Sequence, residues 1–264
     1  MKRPWGLVIG SIVAAFFLVA CQPTDIEEQV SSPAVDAVIL AVGPLYAEQF
    51  GNGDSEAIIL LHGDVSRGGA ADYLYSYARQ MSRAKPDATV YAMLRPGYFD
   101  SAGNRSTGSN HDRRDHYTSR NNALIAATIR SISAMHANAK VTVMGHSGGA
   151  ASLGVIIGRE PGLVDKAVLV SCPCNISRWR KLRGRSAWPR SQSPYSYAGR
   201  IAQSTQVHLV VGVQDDNTVP ILSEEFAARL GDAGISVDLQ TVAGAGHGFG
   251  GALASKAMQI LKSP

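Results

Sequence analysis

Short apolar runs alternate with longer amphipathic stretches along most of this chain. Residues 57–61 (Ala-Ile-Ile-Leu-Leu) are unbroken in their hydrophobicity, the pattern of a strand buried on both faces. Residues 89–94, 141–144, 167–170 and 207–211 repeat that character, whereas 237–242 alternate apolar and polar positions, as a strand nearer a sheet edge does. Helices are predicted between them over 70–83, 118–136, 148–158, 222–230 and 253–261, with Pro86, Gly162 and Gly231 where helices stop. Residues 35–49 supply leading strands. This rhythm predicts an α/β domain: a mostly parallel central β-sheet flanked by helices on both faces.

Two stretches break the rhythm. Residues 95–117 are rich in Gly, Ser, Asn and charge and read as a long loop. Residues 175–199 fall between two strands and carry Trp179, Trp188 and six basic residues from Arg178 to Arg190. A loop of that length in a compact domain is usually functional or mobile. In this position it forms a cap-like insertion over the carboxyl ends of the strands, where open α/β sheets bind ligands. Its basic residues have two readings: a site for an acidic substrate or anionic lipid headgroups, or a solvated cap pinned by its tryptophans and by local carboxylates.

Composition narrows the options. The 264 residues are 45% hydrophobic and 17% charged, enough for one domain with a large core over 35–264. The net charge is +4, and about +2 without Lys2 and Arg3, too mild for a nucleic-acid partner.

The sharpest chemical signal is Gly145-His146-Ser147-Gly148-Gly149, entered from an apolar strand and leaving into a predicted helix. A G-x-S-x-G turn so placed is a nucleophile elbow, with the Ser147 hydroxyl exposed at a helix N-terminus. A serine needs a base, and His247 stands late in the chain in a glycine turn, Gly244-Ala-Gly246-His247-Gly248. An acid must orient that imidazole; Asp215, just past the strand that ends at Gly212, completes the order Ser, Asp, His. Its neighbour Asp216 is read as a cap of the turn or of the next helix. The oxyanion hole requires backbone N–H groups, assigned to Gly148 and to Asp64 in Leu61-His62-Gly63-Asp64-Val65, with Val65 as the alternate. The Asp64 side chain is expected to face outward and to meet an arginine. Gly246-x-Gly248-x-x-Gly251 spells a dinucleotide fingerprint, but no second strand with its acidic residue follows. His111, Asp112, Asp115 and His116 read as polar loop surface rather than a metal site. No metal and no organic cofactor are implied.

Over 35–264 the chain resembles the α/β-hydrolase superfamily, on His62-Gly63, Gly145-His146-Ser147-Gly148-Gly149, Gly212-x-x-Asp215 and Gly246-His247-Gly248. Asp215-Asp216-Asn217-Thr218-Val219-Pro220, with Ser193-Pro194 ahead of the preceding strand, looks like the catalytic domain of prolyl-oligopeptidase-type peptidases. It is also similar to the dienelactone-hydrolase and acyl-esterase branches. The chain leaves no room for the β-propeller that gates entry to prolyl oligopeptidases, a departure that counts against peptide cleavage. The resemblance implies acyl transfer to water on a small-molecule acyl ester, with a peptidase or amidase as the alternative. A membrane-surface lipase and a non-catalytic binding protein that keeps the fold stay open.

At the amino end, Lys2 and Arg3 precede a short apolar run that closes on Leu18-Val19-Ala20-Cys21. The run is below the roughly 20 residues that span a bilayer, so residues 1–20 read as a cleaved export signal. Its end resembles the lipobox of bacterial lipoproteins. That resemblance implies acylation of Cys21 and membrane contact through it, with Gln22 favouring the outer membrane, facing the periplasm. The alternative is a simple secretory signal. Residues 21–34, polar and carrying Pro23 and Pro33, read as a flexible tether. In that oxidising compartment, Cys172 and Cys174 are either bridged or two packed free thiols.

Overall fold

The structure, a computed structural model, describes Met1, residues 38–40 and residues 43–264. The export signal 1–20, Cys21 and the tether 21–34 lie outside the described residues. The elements follow in the order β1 Val38–Leu40, β2 Ala47–Phe50, β3 Glu56–Leu61, α1 Tyr75–Ala84, β4 Ala88–Met93, α2 Ser119–Met135 and β5 Lys140–His146. Then come α3 Gly148–Arg159, β6 Lys166–Val170, α4 Ile176–Leu182, β7 Gln206–Gly212, α5 Ile221–Asp232, β8 Val237–Val242 and α6 Gly251–Lys262. One eight-stranded sheet has the order β1-β2-β4-β3-β5-β6-β7-β8. β2 alone runs against the rest, pairing antiparallel with β1 and β4.

Side-chain alternation sorts the helices. Ala57, Ile59 and Leu61 of β3 face α2, α3 and α5 through Ile129, Leu153 and Phe226. Ile58 and Leu60 face α1 and α6 through Met81 and Leu253. Period-two alternation in a strand that is apolar throughout demands cover on both faces, and the helices provide it. Each buried Ile, Leu, Met or Phe among them contributes about 1.5–3 kcal/mol by leaving water. β8 is the sheet edge, and most of it is half-buried, as its mixed pattern predicts.

Chain order reverses between β3 and β5: from β3 the chain steps to β4 on one side, then returns past β3 to β5 on the other. The carboxyl ends of these two strands therefore flank a crevice, with residues 62–65 on one lip and Ser147 on the other.

Three boundaries depart from expectation. α1 begins at Tyr75 rather than near residue 70, and Ala71 N–H in the preceding turn donates to Phe99 O. α5 runs through Gly231, and the left-handed residue after it is Gly234 (φ 75°). Residues 175–199 are not one loop: 176–182 form α4, while Pro194 and Tyr197 pack against the backbone of α3 at Gly154 and Gly158. Cys172 and Cys174 are bridged, directly after β6.

Candidate active site

Ser147 sits between β5 and α3 with φ 52° and ψ −116°, a strained setting for a residue with a side chain. The turn closes because its flanks are glycine. A Cβ on Gly145 would lie 2.5 Å from Ala150 N, and one on Gly148 would lie 2.1 Å from Asp64 Oδ1. The backbone is held by Ser147 N–H donating to Val170 O at 2.8 Å.

Ser147 Oγ lies 3.0 Å from His247 Nε2, and His247 Nδ1 lies 3.0 and 3.1 Å from the two Asp215 oxygens. A carboxylate only accepts, so Nδ1 carries the proton and Nε2 offers its lone pair to the serine hydroxyl. Asp215 is fixed by the Asn217 and Thr218 N–H groups on Oδ1, at 3.0 and 2.8 Å, and by Thr218 Oγ1 on Oδ2 at 2.8 Å. Burial raises the Asp215 carboxyl, but the bond and charge of His247 and the Thr218 bonds outweigh it and hold it below its ordinary range. Asp215 thus caps its own turn. Asp216, expected in that role, instead lends its carbonyl to the Arg183 guanidinium.

Asn217, which stands in the Asp215–Pro220 motif without a role of its own, reaches the triad. Its Nδ2 is 2.9 Å from His247 Nε2, competing with Ser147 for one lone pair. Turned over, the same amide offers its oxygen to a protonated Nε2.

His146, quoted in the elbow motif without a role of its own, is part of the site. His146 Nε2 is 2.9 Å from the carbonyl of His247, so Nε2 bears the proton. Its Nδ1 then accepts from the Tyr73 hydroxyl at 2.6 Å, and that hydroxyl accepts from Gly63 N–H at 2.6 Å. One chain of bonds ties the loop after β3 to the histidine turn. Burial first, then the nearby His247, lowers His146 to about 4. His62 accepts from Arg95 N–H at 2.9 Å and donates from Nδ1 to Gly63 O at 2.7 Å. Burial, then Arg95, lowers it to about 3, so both imidazoles are neutral near pH 7.

On the oxyanion side, a Cβ on Gly63 would lie 3.0 Å from Ser147 Cβ, so the loop passes directly over the nucleophile. Among the described residues, neither Asp64 N–H nor Gly148 N–H has a protein acceptor. The Asp64 side chain corrects the expectation of an outward orientation. It meets an arginine, Arg95, but does so inside the protein, together with His116 Nε2 at 2.9 Å and the Tyr117 hydroxyl. Burial raises this carboxyl, and His116, Arg95 and their hydrogen bonds overcome that and hold it far below its usual range. Asp115 turns to Arg190, so the polar cluster 111–116 divides between two partners.

Above Ser147 opens a cleft of ≈ 920 Å³ that reaches His247, Asn217, Trp179 and Trp188. Trp179 Nε1–H donates to Asn217 O at 3.0 Å, and the two indoles pack edge to face. The tryptophans thus anchor α4 over the site.

The profile of the prolyl oligopeptidase family matches residues 123–261, which carry Ser147, Asp215 and His247. No curated protein sequence matches the chain. Among solved structures, the chain is similar to esterase PE8, with 19% identity, a TM-score of 0.60, and 83% of this chain against 98% of that one. It is also similar to the Pyrococcus furiosus esterase Pf2001, with 13% identity, a TM-score of 0.64, and 86% against 89%. A puromycin-hydrolyzing peptidase of Mycobacterium tuberculosis matches with 15% identity and a TM-score of 0.58 over 82% of this chain, which spans 36% of the peptidase. At these identities the likeness is one of fold, the α/β-hydrolase fold.

Proposed function

The chain belongs to the prolyl oligopeptidase family and is a serine hydrolase, and within that class we propose that it cleaves carboxylic esters through an acyl-enzyme on Ser147. The observation that carries the reading is the line Ser147 Oγ–His247 Nε2 at 3.0 Å and His247 Nδ1–Asp215 Oδ2 at 3.0 Å. Ser147 attacks the carbonyl while His247 takes its proton and then delivers it to the leaving group. Asp215 keeps the imidazole in the needed tautomer, and the Gly148 and Asp64 amides receive the oxyanion. Water repeats the sequence to free the acid. Asn217 completes the surroundings of Nε2 as a positioning residue.

Ester over amide is supported by the cleft. A peptidase that reads a free amino terminus needs acidic anchors, and apart from Asp64, engaged by Arg95, the lining offers Asp112 alone. The esterases named above also match along nearly their whole length, the peptidase along about a third. Intact mass of the full-length chain after a fluorophosphonate tests the reading: one adduct is expected on the wild type and none on Ser147→Ala. An ester and an amide of the same acyl group then decide the bond. Faster amide cleavage would make the protein a peptidase, and an unlabelled folded wild type would remove catalysis by Ser147.

We also propose membrane tethering through acylated Cys21, on the Leu18–Cys21 pattern. Metabolic labelling with an alkynyl fatty acid should mark the wild type and not Cys21→Ser; an unmarked wild type leaves a simple export signal.

A further inference from the structure

Six of the residues that line the cleft are arginines: Arg67, Arg113, Arg114, Arg180, Arg183 and Arg185. They arrive from three segments: the loop after β3, the one-turn helix at 111–113 with the residue after it, and α4 with the turn that follows. Among the described residues, none of the six has a carboxylate within salt-bridge distance. Arginines beside them that face away from the cleft do: Arg178 pairs with Glu225 and Arg190 with Asp115. Carboxylates are therefore at hand in this region, yet of the two on the cleft wall Asp64 is held by Arg95 and, among the described residues, Asp112 pairs with none of the six.

Arg180 is the most constrained of the set. It is only 8% exposed, and its guanidinium stacks over Trp188 at 4.6 Å and Trp179 at 5.4 Å from the ring centroids. Its Nε donates to Ser186 O at 2.8 Å, and its two terminal nitrogens find no acceptor among the described residues. Burial, then the charges of Arg185 and less of Arg183, lowers it, so these guanidinium groups feel one another. In another segment of the wall, His111, Asp112 and Arg113 all hold left-handed backbone (φ 48°, 52° and 61°). Left-handed backbone is unfavourable for residues with a side chain, and that strain persists where surroundings over-determine it. It delivers Arg113 and Arg114 to the cleft. Like-charged forks without counter-ions, with Arg180 held between two indoles, fit a carboxylate or phosphate, which they bind bidentately.

Resting on the serine-hydrolase reading, we propose that the substrate is an anionic ester, with a carboxylate or phosphate seated on Arg180, Arg183 and Arg185 while its ester carbonyl lies at Ser147. The anion lies on a soluble molecule, because the arginines line a concave cleft that leads to the nucleophile rather than an outer face.

The test compares 4-nitrophenyl hydrogen glutarate with 4-nitrophenyl pentanoate, matched in chain length and differing in a terminal carboxylate, on the full-length protein above the uncatalysed background. At low salt the wild-type ratio of kcat/KM, anionic over neutral, should be on the order of tenfold or more. It should fall toward one in about 1 M salt, where screening acts within about 3 Å. Arg183→Gln/Arg185→Gln, at the cleft rim, should lower the ratio about tenfold, and Arg185→Glu should take it below the value for Arg185→Gln. Arg180→Gln should lower it too, with fluorophosphonate labelling of Ser147 as the check that the variant is folded. A wild-type ratio near one, or a high ratio untouched by the arginine changes, overturns the proposal. If Ser147 still labels, the hydrolase reading survives that outcome; if it does not, that reading has failed instead. A ratio near one, with phosphatidylglycerol vesicles bound by the wild type and released by the same variants, would assign the arginines to a membrane surface.

Discussion

Asp215 follows β7 and Asp64 follows β3, each just beyond the carboxyl end of its strand. Each carboxylate is largely buried, and each faces an imidazole nitrogen, at 3.0 Å for His247 Nδ1 and 2.9 Å for His116 Nε2. Both are held below the ordinary carboxylate range. They part at the far side of the imidazole. His247 turns Nε2 to the Ser147 hydroxyl, whereas His116 has its Nδ1 buried without a partner. The second carboxylate carries Arg95 and Tyr117 as well, and the residue before it, Gly63, passes over the nucleophile. An acid–imidazole contact therefore says little about catalysis until the other ring nitrogen is followed. One contact lies in line with the nucleophile; the other braces the loop after β3.

Substitutions should separate the two roles. Asp215→Asn is expected to lower kcat by about 10⁴ by favouring the wrong tautomer, with a smaller loss of stability than at Asp64. A loss under tenfold would mean that another group orients His247. Asp64→Asn leaves Arg95 buried without its counter-charge and should cost about 3–5 kcal/mol of stability, read from urea unfolding, with a smaller loss of kcat than Asp215→Asn. The reverse pattern, full stability and a large loss of rate, would put the Asp64 carboxylate in the chemistry and collapse the contrast.

Acid gives the next largest effect. His62 and His146, lowered to about 3 and about 4, stay neutral in the fold while the unfolded chain protonates them below about 6.5. Unfolding then takes up protons, so stability falls as pH drops from 6.5 toward 4, by up to about 1.4 kcal/mol per pH unit for each imidazole. Asp64 and Asp215, depressed in the fold, keep their contribution through that window and lose it only as pH falls below the ordinary carboxylate range. Urea midpoints at a series of pH values check this, and a flat profile from 6.5 to 4.5 would contradict it. The smallest effect belongs to Tyr73→Phe, which strands His146 Nδ1 and Gly63 N–H. It should cost about 1–3 kcal/mol of stability and disturb kcat through the position of the His247 turn. An unchanged kcat would show that the turn holds itself.

The strands were legible because a sheet covered on both faces demands unbroken apolar runs, and few other structures do. Ser147, Asp215 and His247 were legible because each stands in a short motif at the end of such a run. Asp64 was placed for its amide, but its side chain was misjudged, since Arg95, His116 and Tyr117 reach it from 31 to 53 residues away and leave no local signal. Tyr73 and Asn217 were missed for related reasons. A lone tyrosine in a turn carries no periodicity, and Asn217 reads as turn chemistry. α4 reads as a charged loop because a seven-residue helix with three basic residues has too little apolar face to declare itself.

The helix behind the nucleophile has one more consequence. Every residue of α3 from Gly148 to Gly158 is buried, so it has no solvent face from which to open. Its amides should exchange with solvent water only through global unfolding, while the glycine turn of His247 and the arginine-bearing cap open far more cheaply. Mild warming would then uncouple the base and the cap from a serine that keeps its pose, and activity lost below the melting temperature would return on cooling.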